Sequence, residues 1–329
     1  MSEIVKAENL KKYFPVQKSF FEQLFTRKRS YVKAVDDVTF SIKKGEIFAL
    51  AGESGCGKTT TGRLVIKLVN PTSGRIHFSG EDITNLKGER LRLLRRKMQM
   101  IFQDPYASLN PRMRLGDAVG HPLVIHGLIE GKKEKQELVF EVLSKVGLTP
   151  PEQFVNLYPH QLSGGQRQRA ALARSIILKP EFIVADEPVS MIDVSLRTTI
   201  IDLMLTLREE LGLTYLFITH DLAVAKYISD RIAIMYLGRI IELGSRETLF
   251  LKPMHPYTQA LLSAIPVPNP ERKRKPIELA GEVPSPINMP SGCRFHPRCP
   301  YQKDICSKKE PRLKEIEREH FVECFLYDV

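Results

Sequence analysis

An α/β fold with a parallel sheet covered on both faces is the class this sequence predicts. Three observations carry the prediction. Short runs such as "EIFALAG", "FIVADEP" and "TYLFITHD" have the length and unbroken apolar character of strands buried on both faces. Amphipathic stretches of helical period alternate with them, as parallel pairing requires. A glycine-rich turn, "GESGCGKTT", stands between one of these strands and a helix, the placement of a phosphate-binding loop.

The elements follow in order. "VKAVDDVTFSIKKGEIFALAGESGCGKTTTGRLVIKLV" reads as strand, turn, strand, glycine-rich loop and helix. "LRLLRRKMQMIFQDP" is a basic helix feeding a short strand that stops at Pro105. In "KKEKQELVFEVLSKVGL" the residues Leu138, Val142 and Val146 share a helix face with Val139 and Leu143 beside them, and Gly147 ends the helix. "GGQRQRAALARSIILKP" is a helix stopped by Pro180, and "FIVADEP" is a strand with carboxylates at its C-terminal tip. "LRTTIIDLMLTLREELGL" is a further helix, "TYLFITHD" a further strand, and "RIAIMYLGRIIELG" a hairpin turning near Gly238. From Pro266 to Pro290 seven of 25 residues are proline around "ERKRK", the texture of a linker. The organisation expected is one large domain over 1–265, a linker over 266–290 and a cysteine-rich tail over 291–329.

With 329 residues, 43% of them apolar, the chain can fill a sizeable core. Its net charge of +11 suits nucleic acid, an anionic membrane surface, anionic small ligands, or simply a solvated basic face. The N-terminus "MSEIVKAENL" lacks the charged and apolar regions of a signal peptide, and no apolar stretch approaches a membrane span. A cytosolic location follows as the expectation, and there clustered cysteines bind metal more often than they form disulfides.

The loop fits G-x-x-x-x-G-K-[ST] from Gly52 through Gly57 to Lys58 and Thr59, with Ser54, Gly55, Cys56 and Thr60 filling it out. Glycines let backbone N–H groups wrap phosphate oxygens, and the helix that follows adds its positive end. Lys58 would neutralise the outer phosphates and Thr59 would ligate Mg²⁺. Hydrolysis also needs a metal-holding group and a base. Asp186 ends an apolar strand and can serve the metal, and Glu187 beside it can polarise water. An acidic pair capping a strand is the bland alternative, and the upstream loop argues against it.

"LSGGQ" at 162–166 adds a second anion-binding helix end, with Ser163 as the N-cap and Gly164, Gly165 and Gln166 opening the helix. The combination resembles the nucleotide-binding subunit of an ABC transporter: a Walker A loop, a Walker B strand ending in Asp-Glu, and the signature between them. The resemblance implies an ABC-type P-loop fold, a RecA-like core plus a helical signature subdomain over about 105–178. It implies MgATP hydrolysis. Gln103 in "IFQDP" matches the Q-loop glutamine that meets Mg²⁺, His220 in "ITHD" the switch histidine, and Asp193 in "SMIDVS" the D-loop aspartate. Tyr13 matches the aromatic residue that stacks on adenine, with Tyr31 as its rival. "SMID" stands where the family more often has "SALD". In this family the signature of one subunit closes over ATP held by another. A second ATPase subunit, a distinct homologue or this chain itself, is therefore implied, and so are two transmembrane permease subunits at the cytoplasmic face of the cell membrane.

"DPYASLNPRM", "YPHQLSGGQRQR", "HPYTQALLSAIP" and "EVPSPINMPSGCRFHPRCP" resemble the oligopeptide/dipeptide/nickel uptake branch. That branch implies import of a peptide-like solute delivered by an extracytoplasmic binding protein. The tail holds Cys293, Cys299, Cys306 and Cys324 at C-x5-C-x6-C-x17-C, and the spacing alone allows a [4Fe–4S] cluster or zinc. The resemblance favours iron–sulfur in a structural role, since a small tail with few apolar residues needs a staple.

The basic and aromatic insert over 18–30, in "SFFEQLFTRKRSY" at 19–31, could touch lipid or a permease, or be a solvated excursion with one packed side. "RLRLLRRK" has the spacing of an exposed charged face and lacks the interleaved aromatics of a single-strand binder. A soluble ABC ATPase acting on nucleic acid or ribosomes is the competing function. It is disfavoured because only about 105 residues separate Thr59 from Ser163, with no sustained heptads. No nucleic-acid partner is expected. A tail that gates ATP use by redox state is a third reading, which no residue favours over a structural tail.

Overall fold

The computed structural model describes residues 2–16, 30–104, 108–265 and 277–328. The basic and aromatic stretch at 18–30 lies, apart from Ser30, outside the described residues, as do Pro105 and the "ERKRK" run. In chain order the elements are β1 Glu3–Pro15, β2 Tyr31–Lys43, β3 Ile47–Ala51, α1 Lys58–Val65, β4 Ser73–Phe78, β5 Glu81–Asp82, α2 Gly88–Lys97 and β6 Met98–Ile101. There follow α3 Leu115–Ile125, α4 Lys132–Lys145, α5 Pro151–Phe154, α6 Gly164–Ile176, β7 Phe182–Asp186, α7 Val194–Leu211 and β8 Thr214–Thr219. The chain continues with α8 Leu222–Ile228, β9 Arg231–Tyr236, β10 Arg239–Ser245, α9 Arg246–Leu251, α10 Pro256–Ser263, β11 Lys314–Glu317 and β12 His320–Val322. These residues form two units.

The first unit comprises Glu3–Ile42, Phe48–Thr84 and Thr219–Val329. One of its sheets is antiparallel, in the order β2-β1-β4-β5. In the other, β3 pairs in parallel with β9, Phe48 facing Arg231, and the antiparallel series β9-β10-β12-β11 extends the edge. The run "IFALA" is wholly buried, as a strand covered on both faces must be. The hairpin turns at Gly238, whose φ of +81° suits a residue without Cβ.

The structure gives no support to a separate cysteine-rich extension. β12 hydrogen-bonds along β10, and Phe295 sits in one core cluster with Tyr236, Tyr257, Ile234 and Leu262. Cys293 and Cys299 pack against that same cluster. The stretch is too poor in apolar residues for a core of its own, so it takes its burial from the elements before it.

The second unit comprises Met1–Ser2, Lys43–Ile47 and Asn85–Ile218. Here β6, β7 and β8 pair in parallel, with Met98 opposite Phe182 and Phe182 opposite Thr214. Helices α3, α4 and α6 pack on one another through Leu115, Val119, Val139, Leu143 and Leu172. The basic helix α2 buries none of its residues fully, but within "RLRLLRRK" only Arg90, Leu93 and Lys97 are exposed and the others are half-buried, so the run is only in part the exposed charged face its spacing suggests. Among the described residues no helix is long and apolar enough to cross a membrane.

Candidate functional site

The phosphate loop lies in the first unit, between β3 and α1. Two of its glycines are required by close approach. A Cβ on Gly52 would meet the Met235 carbonyl oxygen at 2.2 Å, and one on Gly57 would meet that of Ala34 at 2.1 Å. Gly57, at φ +108°, also caps α1, so the helix opens directly out of the loop with its first N–H groups unpaired within the helix. Lys58 is buried and folded onto the loop, its Nζ donating to the carbonyls of Gly52 at 2.7 Å and Glu53 at 2.8 Å. Ser54 and Gly55 are exposed at the crown, and Thr59 and Thr60 are half-buried on the first turn of α1. Burial pushes the Cys56 thiol up against the pull of Lys58, so this cysteine is a neutral packing group.

Glu53, which no motif singles out, is held on three sides. Its N–H donates to the Tyr257 hydroxyl at 3.1 Å, and its carbonyl accepts from Lys58. Its carboxylate takes two bonds from Arg298, Nη1 to Oε2 at 3.1 Å and Nη2 to Oε1 at 3.4 Å. Tyr13 is half-buried. Its hydroxyl donates to Asp36 and its N–H to Thr72 Oγ1 at 3.0 Å. Asp36 also accepts from Arg294, which donates to the Leu237 carbonyl as well. Burial works against the Asp36 carboxylate, yet the Tyr13 hydroxyl and Arg294 hold its pKa below the usual range. Tyr31 is 39% exposed and stands apart from this network. His220 is exposed just before α8, whose N-cap Asp221 accepts from Ala223 N–H at 2.8 Å and Val224 N–H at 3.3 Å.

The second unit carries the acidic tip and the signature. Asp186 ends β7 with 1% exposure, so its carboxylate is withheld from bulk water. Glu187 is held at φ +47°, a conformation that costs an L-residue about 1–2 kcal/mol and recurs where function needs it. Its N–H donates to the Ile218 carbonyl at 2.9 Å, and its own carbonyl accepts from Ser190 Oγ at 3.0 Å. Gln103 is exposed and donates from Nε2 to Glu187 Oε2 at 2.9 Å. The structure thus joins Gln103 to Glu187, residues 84 apart in sequence.

Ser163 caps α6 in a reciprocal box: its Oγ accepts from Gln166 N–H at 3.3 Å, and Gln166 Oε1 accepts from Ser163 N–H at 2.9 Å. Ser163 and Gly164 are exposed, and Gly165 is buried where a Cβ would meet Leu196 at 3.3 Å. Asp193 is exposed at the start of α7, beside Met191 at 59% and Val194 at 74% exposure.

The four tail cysteines share one pattern. Backbone N–H groups of Phe295 and Tyr301 bond the sulfurs of Cys293 and Cys299, while those of Lys303 and Leu326 reach Cys306 and Cys324 Sγ at 3.5 Å. Neighbouring cysteines also disfavour the thiolate forms of Cys293 and Cys324. Burial pushes Cys293 up to about 12 and Cys324 up to about 11, and raises Cys299. A metal would have to displace those protons. Four N–H-bonded thiols are the right donors for a cluster or zinc. Even so, no group of three or more His, Cys, Asp or Glu among the described residues is placed so that it could hold a metal ion. A cluster is therefore not shown.

Arg294, Arg298, Glu53 and Asp36 escape sequence reading because the pairs they form span 258 and 245 residues. Only their charges, flanking otherwise recognisable motifs, hint at them.

A family model described as "ABC transporter" matches residues 35–190, and one described as "Oligopeptide/dipeptide transporter, C-terminal region" matches 241–306. The oligopeptide transport ATP-binding protein AppF of Bacillus subtilis is 51% identical over 98% of this chain and 97% of its own length. The dipeptide transport ATP-binding protein DppF of Haemophilus influenzae is 46% identical over 99% of this chain and 97% of its own length. Among solved structures, the dimeric post-hydrolysis state of the ATP-binding cassette MJ0796 bound to ADP and Pi matches with a TM-score of 0.64. It is 30% identical and covers 74% of this chain and 99% of that one. Motifs, local geometry and near full-length identity agree: the chain belongs to the ATP-binding proteins of the oligopeptide/dipeptide ABC transporter family.

Proposed function

We propose that this chain hydrolyses MgATP to drive uptake of a peptide or related solute. The observation that carries the reading is the bond from Gln103 Nε2 to Glu187 Oε2, with Glu187 held in a strained backbone at the tip of a buried strand. A strand-end carboxylate oriented by an amide is poised to hold and polarise a water. Lys58 and the N–H groups around Gly52, Ser54, Gly55, Cys56 and Gly57 cradle the phosphates, with Thr60 closing the first turn of α1. Tyr13 stacks on the adenine, Gln103 senses the γ-phosphate, and His220 acts as the switch histidine. Thr59, Asp186 and Gln103 offer the oxygen ligands that suit Mg²⁺, which supplies charge neutralisation to the phosphates.

Ser163, Gly164, Gly165, Gln166 and Asp193 serve the ATP of a second subunit, either a homologue or another copy. Exposed apolar Met191 and Val194 beside Asp193 suit a buried interface. Permease subunits place the pair at the cytoplasmic face of the membrane. The peptide cargo is read from the relatives' names, and the four tail thiols are read as holding a [4Fe–4S] cluster, with zinc as the alternative. Action on nucleic acid is not favoured by any feature of the fold.

The test is turnover. Glu187→Gln should retain ATP binding and lose roughly 10²–10⁴-fold in hydrolysis rate. A variant that hydrolyses at the native rate removes Glu187 from the chemistry.

A further inference from the structure

The turn from Cys293 to Cys299 carries two buried arginines: Arg298 reaches Glu53 in the phosphate loop, and Arg294 reaches Asp36 on β2 of the same unit. Arg298 grips Glu53, the second residue of "GESGCGKTT", with its two terminal guanidinium nitrogens, Nη1 and Nη2. Arg294 grips Asp36, which in turn holds the Tyr13 hydroxyl.

Glu53 is an awkward residue for its place. A carboxylate in a loop that must receive a triphosphate repels the ligand unless it is neutralised. Its backbone matters as well, because the Glu53 carbonyl anchors Lys58 Nζ and the Glu53 N–H is tied to Tyr257. A displaced Glu53 therefore shifts the lysine's anchor. Arg298 answers both problems. Its charge cancels the carboxylate, and its planar fork fixes the carboxylate's direction, which a lysine's single ammonium cannot do.

The arginine is itself held in place. Its guanidinium lies 6.0 Å from the Tyr236 ring centroid. The turn that presents it is fastened independently by Phe295 in the aromatic cluster and by Arg294 on the Leu237 carbonyl. Loss of Arg298 alone leaves those fastenings in place.

We infer that Arg298 is a positioning residue for nucleotide binding, acting through Glu53 to neutralise and shape the phosphate loop from the C-terminal segment. The inference rests on the ATP-binding reading above.

The test uses the full-length chain, titrated with a fluorescent ATP analogue in the presence of Mg²⁺ while thermal midpoints are recorded in parallel. The variants are Arg298→Ala, Arg298→Lys, Glu53→Gln and the double variant Glu53→Gln with Arg298→Ala. Arg298→Ala should weaken binding about tenfold and Arg298→Lys about threefold, because lysine keeps the charge and loses the fork. In the Glu53→Gln background the same Arg298→Ala change should cost less than about twofold, the signature of action through Glu53. If Arg298→Ala does not fold, Arg298→Lys carries the comparison in both backgrounds.

Equal losses in both backgrounds overturn the inference, since Arg298 would then act on the phosphates directly. Unchanged affinity with a lowered midpoint overturns it as well, leaving a purely structural ion pair. A native chain that binds no analogue would sink the ATP reading itself, and that result is visible before any variant is compared.

Discussion

Phe295→Ala should loosen the C-terminal segment far more than an ordinary surface change. The ring is 1% exposed. It meets Tyr236 edge-on, with centroids 5.4 Å apart and planes at 90°, and lies 5.5 Å from Tyr257 and 5.4 Å from His255. Removing a buried phenyl group loses roughly 2–3 kcal/mol of transfer free energy. The hole it leaves between two large aromatic rings cannot close fully, and the edge-to-face contacts go with it. The total should be about 3–5 kcal/mol. The chain has no Trp, so urea unfolding is best followed by far-ultraviolet circular dichroism, with hydrogen exchange of 291–328 as the local readout. Phe295→Leu, which keeps most of the volume, should cost less than about 2 kcal/mol. A loss below about 1 kcal/mol for Phe295→Ala would refute the reasoning. It would mean that the cysteine segment is held by something other than this ring.

Two further outcomes follow from the same unit. Burial pushes the His255 pKa down to about 4 despite Glu242 nearby, so an unfolded chain takes up the proton first as pH falls. Its share of stability is complete above the ordinary 6.5 and is lost as pH drops toward about 4. Between about pH 7 and about pH 5 the native chain should lose roughly 2 kcal/mol more than His255→Asn, which keeps an N-cap without titrating. Comparing the two chains cancels the opposite trend of Glu323, which burial pushes up to about 7. Equal losses in the pair would sink the assignment. For the tail, anaerobic purification followed by iron, sulfide and zinc counts should give about four irons with matching sulfide per chain. One zinc without colour would replace the cluster with a zinc staple, and no metal at all would leave four packed thiols.

The parts legible from sequence are those whose chemistry uses neighbouring residues. A phosphate loop needs its glycines, lysine and threonine within one turn of chain. The signature needs a cap and the start of a helix in five residues. Strands buried on both faces announce themselves as unbroken apolar runs. What stayed hidden depends on residues brought together by the fold. Arg298 and Glu53 pair only because β3, β9 and α10 place them side by side, and nothing local marks either as special. The cysteines drew notice by their rarity, whereas the residues between them, Arg294, Phe295 and Arg298, make the contacts that hold the segment. His255 stands in a motif and proves to be a helix cap, its Nδ1 accepting from Tyr257 N–H at 3.1 Å.

The fully buried carboxylate of Glu242 accepts from Met254 N–H at 2.7 Å, from His255 N–H at 2.9 Å and from His320 Nε2 at 2.8 Å. Two stretches of chain, at 254–255 and at 320, thus close on one acid of β10, and removing either leaves that acid short of partners in the interior. For anyone building chimaeras between relatives this sets a rule of inheritance. A crossover between 242 and 320 passes on one half of a lock with another parent's key. Exchanges that keep 241–323 from a single parent should yield folded protein, and recombination libraries should show their survivors at the borders of that block.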